Sequence, residues 1–174
     1  MEVAAELRKA PAREWVAAME ETNLFLGAVA GVINAEAFMT GVNCVQAIEN
    51  DARIAKREML DDLLTVWSSP FIAASLINNR NTPLHRDNGA TYASMDMLAS
   101  VGHFQSCKFM VPSLGYEFLF RSGTVIGLLG RVVPHEAEAI GERLCYAQYL
   151  RENILDTLGV DQPGWINIQT LAQM

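Results

Sequence analysis

The chain has 174 residues, of which 51% are hydrophobic and 19% are charged. This length and composition suffice for one domain with a sizeable core, and they exclude a disordered tail. The formal net charge of −7, without a basic stripe, argues against a module that holds duplex DNA by charge alone.

Two further features bear on the compartment. No apolar run approaches the roughly 20 residues of a membrane-spanning helix, so a membrane is not expected as a partner. The cysteines Cys44, Cys107 and Cys145 are odd in number and show no paired spacing, which indicates reduced thiols in a cytosolic or nuclear protein.

The first third of the chain is rich in helix-forming residues. Segment 13–33 is rich in Ala, Glu and Leu, and segment 43–67 places apolar residues near helical spacing with charges between them. Gly41 and Asn43 are interpreted as the break and the N-cap between two helices. We therefore predict a helical region over residues 1–67.

From residue 68 the pattern changes to short apolar segments separated by Gly, Pro and Asn. The predicted strands are 71–77, 83–87, 94–101, 106–111, 116–120, 124–129, 132–136 and 143–150. Eight short strands with turns between them favour a jelly-roll or cupin-like barrel. The predicted fold class is α+β. Residues 68–174 form the barrel core, and the helices of 1–67 pack outside one sheet of the same structural domain.

The triplet His85-Arg86-Asp87 and the distant His135 form the strongest functional motif. Residues i and i+2 of a strand point to the same side, so His85 and Asp87 could face one cavity. A second histidine from another strand would complete a two-His-one-carboxylate site for Fe(II), which leaves coordination positions open for 2-oxoglutarate and O2.

A fixed cation is needed to hold the far carboxylate of 2-oxoglutarate. Arg143 opens an alternating strand pattern eight residues after His135, and a planar guanidinium binds a carboxylate bidentately. The four residues together predict a 2-oxoglutarate-dependent iron oxygenase. His103 is interpreted as a surface or edge histidine rather than a third ligand, and Asp96 as a solvated turn carboxylate rather than a substrate contact.

Several segments also resemble a known family when read in chain order. They are Ile77-Asn-Asn-Arg80, Pro83-Leu-His-Arg-Asp87, Asp96-Met-Leu-Ala-Ser-Val-Gly102, Gly123-Thr-Val-Ile-Gly-Leu-Leu-Gly-Arg131, His135 and Gly141-Glu-Arg-Leu-Cys-Tyr-Ala-Gln-Tyr-Leu-Arg-Glu-Asn153. Over roughly residues 65–170 the chain is similar to the fungal TET/JBP-like oxygenase domain. That group is abundant in mushroom-forming fungi and is often linked to transposable elements.

The resemblance implies a double-stranded β-helix that uses Fe(II) and 2-oxoglutarate, with O2 as cosubstrate. The characterised members oxidise the methyl group of 5-methylcytosine in DNA, and some act on other methylated bases. By position His85, Asp87 and His135 resemble the iron ligands, and Arg143 resembles the arginine that binds the cosubstrate.

The resemblance also points to residues around this centre. Cys145 occupies a position where relatives often place a small polar residue near the cosubstrate carboxylate, and Arg80 one where they carry an arginine near the site. The animal enzymes have an Asn three places after the Asp, which touches the target base. Here Ala90 stands in that position. Asn88 and Tyr92 are the candidate substrate contacts, although Tyr92 could instead be an aromatic residue at a strand entry.

Three functions remain open from the sequence. The first is oxidation of a methylated base in DNA, with methylated DNA as partner and a nuclear location. The second is hydroxylation of a protein or small molecule by the same fold, which suits the acidic charge better and would leave the protein cytoplasmic. The third is an inactive transposon-borne remnant, against which the intact set of ligands speaks.

Overall fold

The computed structural model describes residues 5–53 and 57–165. The helices are α1 (Ala10–Ala18), α2 (Glu20–Ile33), α3 (Ala35–Asn50), α4 (Arg57–Leu64) and, after the strands, α5 (Glu152–Leu158). The strands are β1 (Ala73–Asn78), β2 (Thr82–His85), β3 (Asp96–Val111), β4 (Tyr116–Leu119), β5 (Thr124–Leu128) and β6 (His135–Tyr149). Short 3₁₀ turns cover Glu6–Arg8 and Pro112–Leu114.

The predicted break at Gly41 and Asn43 was wrong, because both residues lie inside α3. The break is at Asn34, whose side-chain oxygen accepts a hydrogen bond from the Ala37 N–H at 3.1 Å and caps the helix. Gly41 serves packing instead. A Cβ at this position would lie 2.2 Å from the carbonyl oxygen of Pro70, so only glycine lets α3 approach that chain segment.

The structure has six strands where eight were predicted. In two cases, a pair of predicted segments forms one long strand with a bend in it. Gly102 in β3 and Gly141 in β6 have φ angles of 133° and 117°, which side chains other than glycine rarely adopt. A shift in register between Phe104 and Ser106 accompanies the bend. The glycines that suggested turns are therefore bends within continuous strands.

The bends divide the strands into two four-stranded sheets. The first has the order β1–β6–β3–β5 and uses the β6 residues 142–149 and the β3 residues 96–103. The second has the order β2–β6–β3–β4 and uses the β6 residues 135–140 and the β3 residues 106–111. Inward side chains of both halves share one core, which contains Leu98, Cys107, Phe109, Ala137 and Cys145. This is the predicted double-stranded β-helix.

The N-terminal helices cover the outer face of the first sheet, as predicted. Ala30, Cys44 and Ile48 of α2 and α3 share a second core with Met97 of β3 and with Leu150. A buried polar contact fixes the same interface, since the Tyr146 hydroxyl donates to the side-chain oxygen of Asn23 at 2.9 Å. The helices thus support the sheet from behind and leave its inner face to the cavity between the sheets.

Within the described ranges no single helix is long and apolar enough to cross a membrane, although α1 and α2, bent by 55°, together meet the length and composition required.

Candidate active site

Three potential metal ligands meet at the end of the β2–β6 ladder. His85 is the last residue of β2, His135 is the first residue of β6, and the two are paired across the strands. The Nε2 atoms of His85 and His135 lie 3.4 Å and 3.6 Å from the two carboxylate oxygens of Asp87. All three ligand atoms lie within 4.8 Å of one another, so the group could hold one metal ion.

Asp87 does not lie on the predicted strand, because β2 ends two residues earlier. It belongs to the loop between β2 and β3, and its backbone N–H donates to the carbonyl of Gly130 at 3.0 Å. The two ligands His85 and Asp87 still face the same cavity. The loop that precedes β6, not a strand pleat, therefore holds the carboxylate in place.

Both histidines are oriented by backbone carbonyls. The Nδ1 atom of His85 lies 2.9 Å from the Pro83 oxygen, and that of His135 lies 3.1 Å from the Val133 oxygen. A carbonyl only accepts, so each Nδ1 carries the hydrogen and each Nε2 keeps a lone pair for a metal. Burial lowers the pKa of His135, an effect that the Val133 carbonyl and Asp87 partly offset, and the ring is therefore neutral, as a metal ligand must be.

The three ligands open onto a cavity of about 260 Å³ between the two sheets, and Arg143 lines the same cavity. Its side chain is buried, its Nε donates to the Ser100 hydroxyl at 2.9 Å, and its guanidinium lies over the Phe120 ring at 4.9 Å. No carboxylate of the described residues pairs with it. A buried guanidinium without a counter-ion is costly unless an anion binds there.

The Tet_JBP family, described as the oxygenase domain of the 2OGFeDO superfamily, matches residues 6–152. The chain belongs to this family. The match also covers the helical first third of the chain. The resemblance that was noted in the sequence began only at about residue 65. A comparison with curated proteins gave no match.

Membership makes the protein a 2-oxoglutarate and Fe(II)-dependent dioxygenase. The residues present fit both cofactors of this superfamily. Two imidazole nitrogens and one carboxylate are a donor set that suits Fe(II), and the unpaired guanidinium of Arg143 suits the free carboxylate of 2-oxoglutarate.

Cys145 lines the cavity beside Arg143, and the thiol of Cys107 interacts with the same guanidinium. Burial raises the pKa of both thiols, and the neighbouring guanidinium opposes this without cancelling it, so both are uncharged near neutral pH. Cys145 was a candidate from the sequence. Ser100 and Cys107 were missed because they lie on β3, far from Arg143 in the sequence, and only the folded sheets bring their side chains to its guanidinium.

Asp96 is not the solvated turn carboxylate that was predicted. Its side chain is 3% exposed and lines the cavity, and no side chain of the described residues hydrogen-bonds to either of its carboxylate oxygens. Burial, followed by the charge of Asp87, raises the pKa of Asp96 to about 8, although the backbone N–H of Gly130 acts in the opposite direction. The two carboxylates converge on Gly130, where a Cβ would lie 2.4 Å from Asp87 Oδ2 and 2.5 Å from Asp96 Oδ2.

The other residues that the sequence singled out differ in whether they line the cavity and in how exposed they are. Asn88 lines the cavity beside Asp87. Ala90 is buried, and the Tyr92 side chain is 48% exposed, with the Arg131 guanidinium 3.7 Å from its ring centroid. Arg80 is exposed in the connection between β1 and β2 and is not among the residues that line the cavity. His103 is exposed, as predicted.

Proposed function

We propose that this oxygenase oxidises 5-methylcytosine, or another methylated base, in DNA. The observation that carries the proposal is one cavity that is lined both by the His-Asp-His group and by a buried arginine with no carboxylate partner among the described residues. The TET/JBP resemblance of the sequence supports DNA as the substrate, and a nuclear location would follow from it.

In this proposal His85, Asp87 and His135 bind Fe(II), and Arg143 binds the far carboxylate of 2-oxoglutarate. Bound Fe(II) and 2-oxoglutarate together supply the power to oxidise a C–H bond with O2. Ser100 keeps the guanidinium of Arg143 in one orientation by accepting from its Nε. The carbonyls of Pro83 and Val133 keep both histidines in the tautomer that binds metal.

A base in duplex DNA must leave the stack to reach this centre. Asn88 and Arg86 are exposed residues that line the cavity, and both could contact the displaced nucleotide. We expect weak binding with a shallow salt dependence, because a chain with net charge −7 neutralises few phosphates. Specificity for the base should be relaxed, since Ala90 cannot make the contact that an Asn makes in the animal enzymes.

The acidic charge favours a second candidate, an oxygenase of the same fold that hydroxylates a protein or a small molecule. Such substrates need no phosphate contacts, so the net charge of −7 is no obstacle. The two candidates share the metal centre and differ in what stimulates turnover.

The test is mass spectrometry of nucleosides after the protein has been incubated with methylated duplex, Fe(II), 2-oxoglutarate and ascorbate. Hydroxymethylcytosine should form with the wild type and with His103→Ala, whose side chain lies outside the cavity. It should be lost in Asp87→Ala, which removes one of three protein ligands. Succinate release without an oxidised base, stimulated by a protein extract, would favour the second candidate. Wild-type rates in Asp87→Ala would refute the ligand assignment.

A further inference from the structure

Arg131 links three chain segments that surround the candidate metal centre. Its Nη1 donates to the carbonyl of Ala90 at 2.8 Å and also to the carboxylate of Glu152. Its guanidinium lies over the ring of Tyr92, 3.7 Å from the centroid. One side chain thus joins the loop that carries Asp87, the segment that leads to His135, and the start of α5.

The loop of Asp87 depends on such links because it leaves the β ladder after His85 and returns to backbone pairing only at the isolated bridge between Ala90 and Arg151. Two other hydrogen bonds join this loop to the described segment before β6. The backbone N–H of Asp87 donates to the carbonyl of Gly130, and the Nε of Arg86 donates to the carbonyl of Val132 at 3.2 Å. Two of these three links use arginine side chains, and Arg131 is the more buried, with 16% of its side chain exposed. It is therefore the better shielded of the two arginine side chains that tie together the segments bearing the ligands.

Glu152 extends the tie to α5. Its carboxylate pairs with Arg131 and also accepts from Gln162 at 3.1 Å. Its backbone N–H donates to the carbonyl of Gly89, two residues after Asp87, at 3.3 Å. The first turn of α5 thus touches the Asp87 loop twice, once directly and once through Arg131.

We propose that Arg131 is a positioning residue that fixes Asp87 relative to His135, and that Glu152 couples this spacing to the docking of α5. The expected effect on metal binding rests on the proposed metal site, whereas the fixing of the loop rests on the contacts that Arg131 makes with Ala90, Tyr92 and Glu152. A metal centre accepts ligand distances only within a few tenths of an ångström, so loosening the loop should weaken metal binding without removing a ligand.

The experiment compares Arg131→Ala, Arg131→Lys and Glu152→Gln with the wild type and with Lys108→Ala. Lys108→Ala is the matched control, since it breaks an ion pair with Glu117 on β3 and β4, outside the cavity. Three quantities are measured: Co²⁺ affinity by calorimetry, the melting temperature of the metal-free protein, and amide hydrogen exchange in segment 86–92 of that metal-free protein.

We expect Arg131→Ala to weaken Co²⁺ binding about tenfold to a hundredfold, as loss of a supporting partner of a metal ligand usually does. Exchange in segment 86–92 should rise, and Lys108→Ala should change neither quantity. Arg131→Lys keeps the charge beside Glu152 but cannot reproduce the fork, so it should restore part of the affinity. Glu152→Gln should show a smaller loss than Arg131→Ala.

Wild-type Co²⁺ affinity and wild-type exchange in Arg131→Ala would overturn the inference, as would equal losses in Lys108→Ala. If Arg131→Ala fails to fold, Arg131→Lys and Glu152→Gln decide by the same criteria. A wild type that binds no Co²⁺ would refute the metal site instead. Exchange in the metal-free protein would then still show whether Arg131 holds the loop.

Discussion

Replacing Gly130 with alanine adds one methyl group, which should weaken metal binding while leaving the stability of the fold nearly unchanged. A Cβ there would lie 2.4 Å from Asp87 Oδ2 and 2.5 Å from Asp96 Oδ2, whereas ordinary contacts begin at 3.4 Å. Gly130 is not among the glycines with positive φ, so Gly130→Ala adds crowding without backbone strain. The clash falls on the ends of two side chains, of which that of Asp87 is 40% exposed and has room to move.

The size of the movement sets the expected effect. Asp87 Oδ2 must shift by about 1 Å to restore an ordinary contact, several times the roughly 0.2 Å that a metal site tolerates. Asp96 is buried and cannot take up the displacement by turning to solvent. We expect metal affinity to fall by about a hundredfold, while the free energy of unfolding changes by no more than about 1–2 kcal/mol.

The assay is calorimetric titration with Co²⁺ together with thermal unfolding of the metal-free protein. Gly31→Ala is the matched control, because Gly31 lies in α2 and a Cβ there would meet Phe38 at an ordinary 3.7 Å. That variant should bind metal normally and be slightly more stable, by about 0.5–1 kcal/mol. Metal affinity in Gly130→Ala equal to that in Gly31→Ala would refute the convergence of Asp87 and Asp96 on this glycine.

Two further predictions concern the cavity wall. Because the folded state raises the pKa of Asp96 to about 8 from a usual 3.8, the metal-free protein keeps a proton that the unfolded chain releases, and its stability should fall as the pH rises from about 4 to 8. Asp96→Asn should lack that fall. The free energy of unfolding of Asp96→Asn should therefore rise relative to that of the wild type by about 1.4 kcal/mol for each pH unit in this range. Parallel urea titrations with a chelator at several pH values test this, and a constant difference would contradict it. Arg143→Lys should raise the 2-oxoglutarate concentration for half-maximal succinate release about tenfold to a hundredfold, because an ammonium cannot bind a carboxylate bidentately; an unchanged requirement would place the anion site elsewhere.

The residue types at the site could be recognised from the sequence because the chemistry restricts them. Few side chains bind Fe(II) or a buried carboxylate, so His85, Asp87, His135 and Arg143 stand out among apolar strand segments. Alternation of apolar and polar residues likewise identified the strands, since that pattern follows from the pleat itself. The fold class followed from the number and spacing of these segments.

Features that depend on long-range contacts could not be read in the same way. Gly41 and Asn34 both belong to residue types that end or begin helices, and only the approach of Pro70 to α3 shows that Gly41 is a packing residue. Gly102 and Gly141 carry the same local signal as turn glycines. They are bends because β3 and β6 pair on both sides of them.

The state of Asp96 was decided by tertiary structure alone. Its neighbours in the chain indicate a solvated turn, but the folded sheets enclose it and bring Gly130 and Asp87 against it. The pKa of a carboxyl group depends on water and charge within a few ångströms. Those surroundings come from separate segments that only the folded chain brings together, so the sequence by itself determined which ligands the site offers, and the fold determined the electrostatics in which they act.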